Sequence, residues 1–319
     1  MKTNVIYNMD CLQGLRGLED NSIDLTVTSP PYDNLRKYHT DGFQWNYDLF
    51  RPIADELYRV TKSGCVVVWV VGDACVKGSE TGSSLKQALY FQQIGFNLHD
   101  TMIYQKASAT HPAVENEKRY TQSWEYMFVF SKGPIRKDIS LLADKRNRWA
   151  GCTTWNGEYA CYNKTGDMVF ERKSKPTAEF GFRTNIWKYN IAQNDRTGHP
   201  AVFPERLAED HIRSWSVEGD LVMDPFMGSG TTAKMALLNG RQYLGFEQNP
   251  DYHKVSLERL AKYQGGSILV PMDKATKEED AELRGKERLW QKYSEELEVM
   301  FNECSLATLK GLHFTFSNK

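Results

Sequence analysis

Apolar residues along the chain follow two alternating rhythms. Short, β-branched runs read as strands: NVIYN (4–8), IDLTVT (23–28), CVVVWVVGD (65–73), LVMD (221–224) and YLGFEQ (243–248). The third run has no polar alternation, which predicts a strand buried on both faces. Other stretches space their apolar residues as a helix does: DCLQGLRGL (10–18), YDLFRPIADELYRVT (47–61), 83–94, TTAKMALLNG (231–240) and PDYHKVSLERLAKY (250–263). HPAVFPERLAEDHIRSWS (199–216) predicts a helix entered through prolines. NLHDTMIYQK (97–106) and WEYMFVFSK (124–132) predict two antiparallel additions at a sheet edge. Strands alternating with helices imply βαβ units, hence an α/β fold with a mainly parallel sheet.

The rhythm fails in two places. Residues 132–198 are rich in Asn, Gly, Trp, Tyr, Lys and Arg and hold 13 Lys/Arg against 7 Asp/Glu, a local balance of +6. The whole chain sums to −1, so the remainder sums to −7. Overall charge names no partner, whereas this segment could. After GGS at 265–267, residues 274–301 predict a charged helix with Leu289, Tyr293, Leu297, Met300 and Phe301 on one stripe. Such a stripe packs on the body or on a second subunit. The chain of 319 residues is long enough to bury its own core. Its 6 cysteines form no CxxC, the first residues lack a signal-peptide core, and no apolar run would span a bilayer. These features predict a reduced, soluble, cytoplasmic protein without a metal site.

Three junctions carry candidate chemistry. DPFMGSGTT (224–232) lies between a strand and a helix, where backbones of open α/β sheets approach ligands. It is neither a P-loop nor GxGxxG. The next strand ends in Glu247, placed to take both hydroxyls of a ribose, or else a surface carboxylate. Turn and acid together favour a nucleoside-containing cofactor. Asp10 and Cys11 end the first strand. If that strand neighbours the one ending at Glu247, Asp10 could accept from an adenine amino group; it could equally cap the following helix. The third junction is TSPPY (28–32), where two prolines end an apolar strand.

TSPPY, HPAVFP (199–204), DPFMGSGTT and YLGFEQNPDY (243–252), in this order, resemble the amino-methylating DNA methyltransferases that use S-adenosylmethionine. The resemblance covers residues 4–131 and 199–263. With the tetrapeptide before the glycine turn, it points to the β group, whose fold is a circularly permuted Rossmann-like methyltransferase domain with helices on both sheet faces. It implies a catalytic half at 1–131, an inserted target-recognition segment at 132–198, a cofactor half at 199–263 and a helical extension at 264–319. Ser29, Pro30, Pro31 and Tyr32 would be catalytic. Phe226, Gly228 and Gly230 would surround the methionine part of the cofactor, with Asp224, Pro225 and Thr231 in the same turn. Glu247 would hold the ribose, and Asp10, Cys11 and Gln248 would lie at the adenine end, Gln248 replacing the family's usual aliphatic residue. His199, Pro200, Phe203 and Pro204 would close the pocket.

The tetrapeptide's chemistry follows from its residue types. Ser29 Oγ and the Pro30 carbonyl can accept the two N–H bonds of an exocyclic base amine, held by stiff prolines, while Tyr32 stacks on a base flipped from the duplex. Ser at the first position is associated in the family mostly with cytosine N4 and Asp with adenine N6. Cytosine N4 is therefore favoured, with adenine N6 the alternative. A methyltransferase acting on RNA or on a protein side-chain amide, a non-catalytic DNA-binding module and a nicotinamide oxidoreductase are the competing readings. Double-stranded DNA is the implied substrate, contacted by Arg36 and Lys37 on a loop after the motif and by Arg146, Arg148, Asn156, Lys173 and Arg183. A homodimer and a cognate restriction endonuclease are further partners the resemblance leaves open.

Overall fold

The computed structural model describes residues 1–31, 45–107, 118, 120–152, 159–162, 165–171, 176–190 and 204–264. Tyr32, Arg36, Lys37, Asn156, Lys173, His199, Pro200, Phe203 and the charged stripe after 264 lie outside the described residues.

In chain order the elements are β1 (Val5–Tyr7), α1 (Cys11–Arg16), β2 (Ile23–Thr28), α2 (Tyr47–Val60), β3 (Thr61–Val71), a hairpin of β4 (Cys75–Val76) and β5 (Ser79–Glu80), α3 (Ser83–Gln93), β6 (Asn97–Lys106) and β7 (Trp124–Ser131). There follow β8 (Lys145–Arg146), β9 (Tyr159–Tyr162), β10 (Met168–Glu171), β11 (Phe180–Gly181), β12 (Ile186–Tyr189), α4 (Glu205–Trp215), β13 (Leu221–Asp224), α5 (Thr231–Leu238), β14 (Gln242–Phe246) and α6 (Pro250–Gln264).

One 8-stranded sheet runs β1-β14-β13-β2-β3-β7-β6-β12. The five strands from β1 to β3 are parallel. β7 is antiparallel to β3 and β6 antiparallel to β7, as the sequence predicts. Those two strands are not the sheet's edge, however. β12 pairs parallel with β6, from Ile186↔Ile103 to Tyr189↔Lys106. The basic segment thus supplies a strand to the central sheet, and Trp187 and Tyr189 are buried in the core. It is also tied in by Arg136, whose guanidinium meets Asp24 and Asp220.

The unbroken apolar run of β3 has its reason in two packed faces. Val66, Val68 and Val70 join Leu207, Ile212, Ala233 and Leu260 of α4, α5 and α6. Val67, Trp69 and Val71 point the other way, onto Leu15, Phe50, Leu57 and Phe91 of α1, α2 and α3. Fully burying each such valine contributes roughly 1.5–3 kcal/mol relative to exposure. Because β1, β14, β13 and β2 are parallel, their carboxyl ends share one edge. The chain leaves β13 toward β14 and leaves β2 toward β3, so the order reverses between β13 and β2, the place where such sheets bind ligands.

Candidate active site and cofactor cradle

At the reversal point the turn 224–232 is held on every side. Asp224 is 1% exposed. Its Oδ1 accepts from Thr28 Oγ1 at 2.6 Å and from the Phe226 N–H at 3.0 Å. Thr232 Oγ1 lies 2.8 Å from Asp224 Oδ2 and 3.2 Å from the Val27 carbonyl, sharing one proton between them. Burial pushes the Asp224 carboxyl up to about 6, against the pull of its three hydrogen-bond donors. Phe226 meets Trp45 and Trp69 edge-on, with ring centroids 5.4 and 6.2 Å apart. Gly228 and Gly230 have φ of 53° and 82°, a region that side-chain-bearing residues rarely adopt. A Cβ on Gly230 would also sit 3.0 Å from Ser256 Cβ. The turn therefore needs these glycines for conformation and for close packing.

Glu247 follows β14 and reaches back to the turn. Its Oε2 accepts from the Gly228 N–H and its Oε1 from the Asn249 N–H, both at 2.8 Å. Burial raises the Glu247 carboxyl, with these two N–H groups opposing it. Each oxygen keeps a lone pair beyond its backbone partner, so it can also accept from hydroxyls. β1 does lie beside β14, with Tyr7 opposite Phe246, which places Asp10 and Glu247 at neighbouring strand ends. Asp10 serves as the N-cap of α1, accepting from Gln13 N–H at 3.0 Å. The Cys11 thiol beside it is pushed up to about 12 by burial and by Asp10, so it stays neutral. Gln248 contributes its carbonyl, which with that of Glu247 accepts from Asn8 Nδ2 at 3.1 and 2.8 Å.

Ser29 is half-buried at the end of β2, followed by buried Pro30 and half-buried Pro31. The prolines do end the strand. Pro204 sits immediately before α4 and is buried. Behind the turn stands a charged cluster with no signal in the sequence. Arg259 of α6 donates to the Ser229 carbonyl at 3.1 Å, to Ser229 Oγ at 3.0 Å and toward Thr231 Oγ1 at 3.2 Å, and it pairs with Glu205. Lys234 meets Glu205 at 2.6 Å. Burial pushes the Glu205 carboxyl up, but Lys234 and Arg259 outweigh it and hold the group below its usual range. Asn8, Thr28, Trp45, Glu205, Lys234 and Arg259 are the residues that reading the sequence missed. Only Thr28 lies inside a quoted motif.

The expected DNA contacts divide. Arg146 and Arg148 are exposed, and the Arg148 guanidinium lies 5.2 Å from the centre of the Trp149 ring. Arg183 has another assignment. Its Nε donates to Asp144 at 2.7 Å and its Nη1 to Asp210 at 2.6 Å, and it covers the Trp187 ring at 5.3 Å. Those hydrogen bonds hold its positive charge firmly and keep Asp144 well below the usual carboxylate range. An arginine so committed anchors β12 to α4.

The family model for DNA methylases of the N6/N4 class matches residues 23–258, and the chain belongs to that family. An orphan methyltransferase of Bacillus amyloliquefaciens, M.BamHII, is 55% identical over 251 residues, covering 76% of this chain and 91% of the relative. Among solved structures, the cytosine-N4-specific PvuII DNA methyltransferase superposes with a TM-score of 0.59 at 22% identity, over 84% of this chain and 89% of that one. M1.HpyAVI, solved as a complex with SAM, superposes with a TM-score of 0.52 at 20% identity, over 80% of this chain and 98% of that one. At these identities the superpositions establish the methyltransferase fold. No helix among the described residues is long and apolar enough to cross a membrane.

Proposed function

We propose that this DNA methyltransferase moves a methyl group from S-adenosylmethionine to the exocyclic amine of a base flipped from duplex DNA, cytosine N4 in preference to adenine N6. The observation that carries the reading is the meeting of Ser29 and Pro30 with the 224–232 turn at the sheet's reversal point, through Thr28 and Asp224. The cradle fits the cofactor by its donor set. Glu247 offers two carboxylate oxygens with spare lone pairs, Phe226 offers an aromatic wall, and the glycines leave backbone bare. When bound, the cofactor supplies an electrophilic methyl on a sulfonium.

The protein's task is to prepare the nucleophile. An exocyclic amine donates its lone pair into the ring and is poorly nucleophilic. Accepting its two N–H bonds at Ser29 Oγ and the Pro30 carbonyl favours a more tetrahedral nitrogen with the lone pair directed outward. A hydroxyl can accept from the amine and donate to a ring nitrogen, which suits N3 of cytosine or N1 of adenine. Tyr32 stacks on the extruded base, and His199, Pro200, Phe203 and Pro204 cover the cofactor. Positioning and electrostatics supply most of the rate. DNA is held by Arg146 and Arg148, with Arg36, Lys37, Asn156 and Lys173 as further contacts.

The test is direct. Purified protein is incubated with unmethylated duplex DNA and S-adenosylmethionine, and the DNA is digested to nucleosides and analysed by mass, with Ser29→Ala as control. N4-methylcytosine, absent with the variant, is the expected product. N6-methyladenine would keep the mechanism and overturn the base preference. No methylated nucleoside on DNA covering all short sequences would overturn the function.

A further inference from the structure

The carboxyl ends of β13 and β2 are joined through side chains. Their backbone ladder pairs Val222 with Leu25 and Met223 with Thr26. Asp224 and Thr28, the last residues of the two strands, are joined instead by the 2.6 Å hydrogen bond between their side chains. Thr232, in the first turn of α5, adds a second tie to Asp224 Oδ2 and the Val27 carbonyl. On its other side Thr28 is paired with Trp69 of β3. Thr28 is the residue before Ser29, and Asp224 begins the turn whose Phe226 N–H it also fixes. One buried carboxylate thus spans the two halves of the site at the point where the backbones cease to hold each other.

Taking the proposed methyl transfer as the reaction, we infer that Asp224 is a positioning residue: through Thr28 it sets the distance between Ser29 and the cofactor turn. Methyl transfer needs nitrogen, methyl carbon and sulfur in line, and reacting atoms a fraction of an ångström out of place lose much of the rate. A link acting this way governs turnover more than cofactor affinity. It acts by hydrogen bonding and not by charge.

The experiment compares the full-length protein with Thr28→Val and Thr28→Ser. It measures kcat on unmethylated duplex DNA and, separately, equilibrium binding of S-adenosylmethionine. Thr28→Val keeps the side chain's shape and removes its proton. It is expected to lower kcat by about tenfold or more while changing the cofactor Kd by less than about threefold. Thr28→Ser, which keeps the hydrogen bond, is expected to stay within about threefold of the unmodified protein in kcat. Undiminished kcat in Thr28→Val would overturn the inference. So would a tenfold loss in Thr28→Ser, or a parallel loss of cofactor binding in Thr28→Val. Thr28→Ser makes the test independent of whether the valine variant folds. If the unmodified protein itself methylates nothing, the proposed function falls first, and that result is read from the control.

Discussion

Asp224 and Glu247 are both buried carboxylates at strand ends, yet their donors differ in kind, and this separates their behaviour. Two of the three donors on Asp224 are threonine hydroxyls, which can rotate. Both donors on Glu247 are backbone N–H groups, which cannot. In Glu247→Gln one N–H must therefore face an NH₂ group, whichever way the amide is turned. Leaving that donor unsatisfied costs about 1–3 kcal/mol, and the expected outcome is a lower denaturation midpoint together with weaker cofactor binding. Asp224→Asn can keep all three partners, yet its second amide N–H has no acceptor among them, a cost of about 1–3 kcal/mol that does not change with pH. The folded-state carboxyl is raised from 3.8 to about 6, so between those values the folded protein holds a proton that the unfolded chain has released. Stability from this group therefore falls as pH rises through that window, by about 3 kcal/mol in all. Urea denaturation at pH 4.5, 5.5 and 7 should show the difference between Asp224→Asn and the unmodified protein growing in the variant's favour as pH rises. A difference independent of pH would contradict the assignment.

At the scale of elements, the glycine turn is held against β14 by an absence of side chain. A Cβ on Gly245 would lie 2.1 Å from Met227 Cε and 3.1 Å from Met227 Cγ. Gly245→Ala should displace the methionine and the turn with it, destabilising by about 1–3 kcal/mol. In the double variant with Met227→Ala the clash is relieved, so the combined loss should fall short of the sum of the two single losses by about 1 kcal/mol or more. Strict additivity in denaturant titrations would show that the two do not press on each other. This contact could not be read from the sequence, although most of the elements that make it could. The β2 and β13 runs are legible to the residue, because IDLTVT and LVMD are short, rich in β-branched or apolar residues and bounded by turn residues. β12 is not, since IWKY is only four residues inside a polar stretch, shows no apolar–polar alternation and finds its partner some eighty residues back, at Ile103–Lys106. The motifs mark the turn and Ser29, but the residues that brace them, Asn8, Trp45, Glu205 and Arg259, come from four other places in the chain. Their importance lies in tertiary distances, which local spacing does not encode.

Charge is the property of the whole molecule that the sequence represents least faithfully. Counting gives residues 132–198 a surplus of six positive charges and invites every arginine there to meet DNA. The fold divides them by partner. Arg136 is held by Asp24 and Asp220, and Arg183 by Asp144 and Asp210, whereas Arg146 and Arg148 stand exposed. The two kinds should respond to opposite assays. Arg183→Ala leaves Asp210, whose side chain is 3% exposed, without its cation. Breaking such a buried pair costs about 3–5 kcal/mol, to be seen as a lower midpoint of unfolding without any DNA present. Arg146→Ala with Arg148→Ala should leave that midpoint nearly unchanged. It should instead weaken binding to duplex DNA and reduce the slope of log K against log salt by about two, one for each phosphate that is no longer neutralised. The comparison requires binding isotherms across a salt series for the unmodified protein, the double variant and Arg183→Ala. If the double variant keeps the full salt slope, the exposed arginines of this segment do not touch phosphate, and the charge surplus is only a solvated surface.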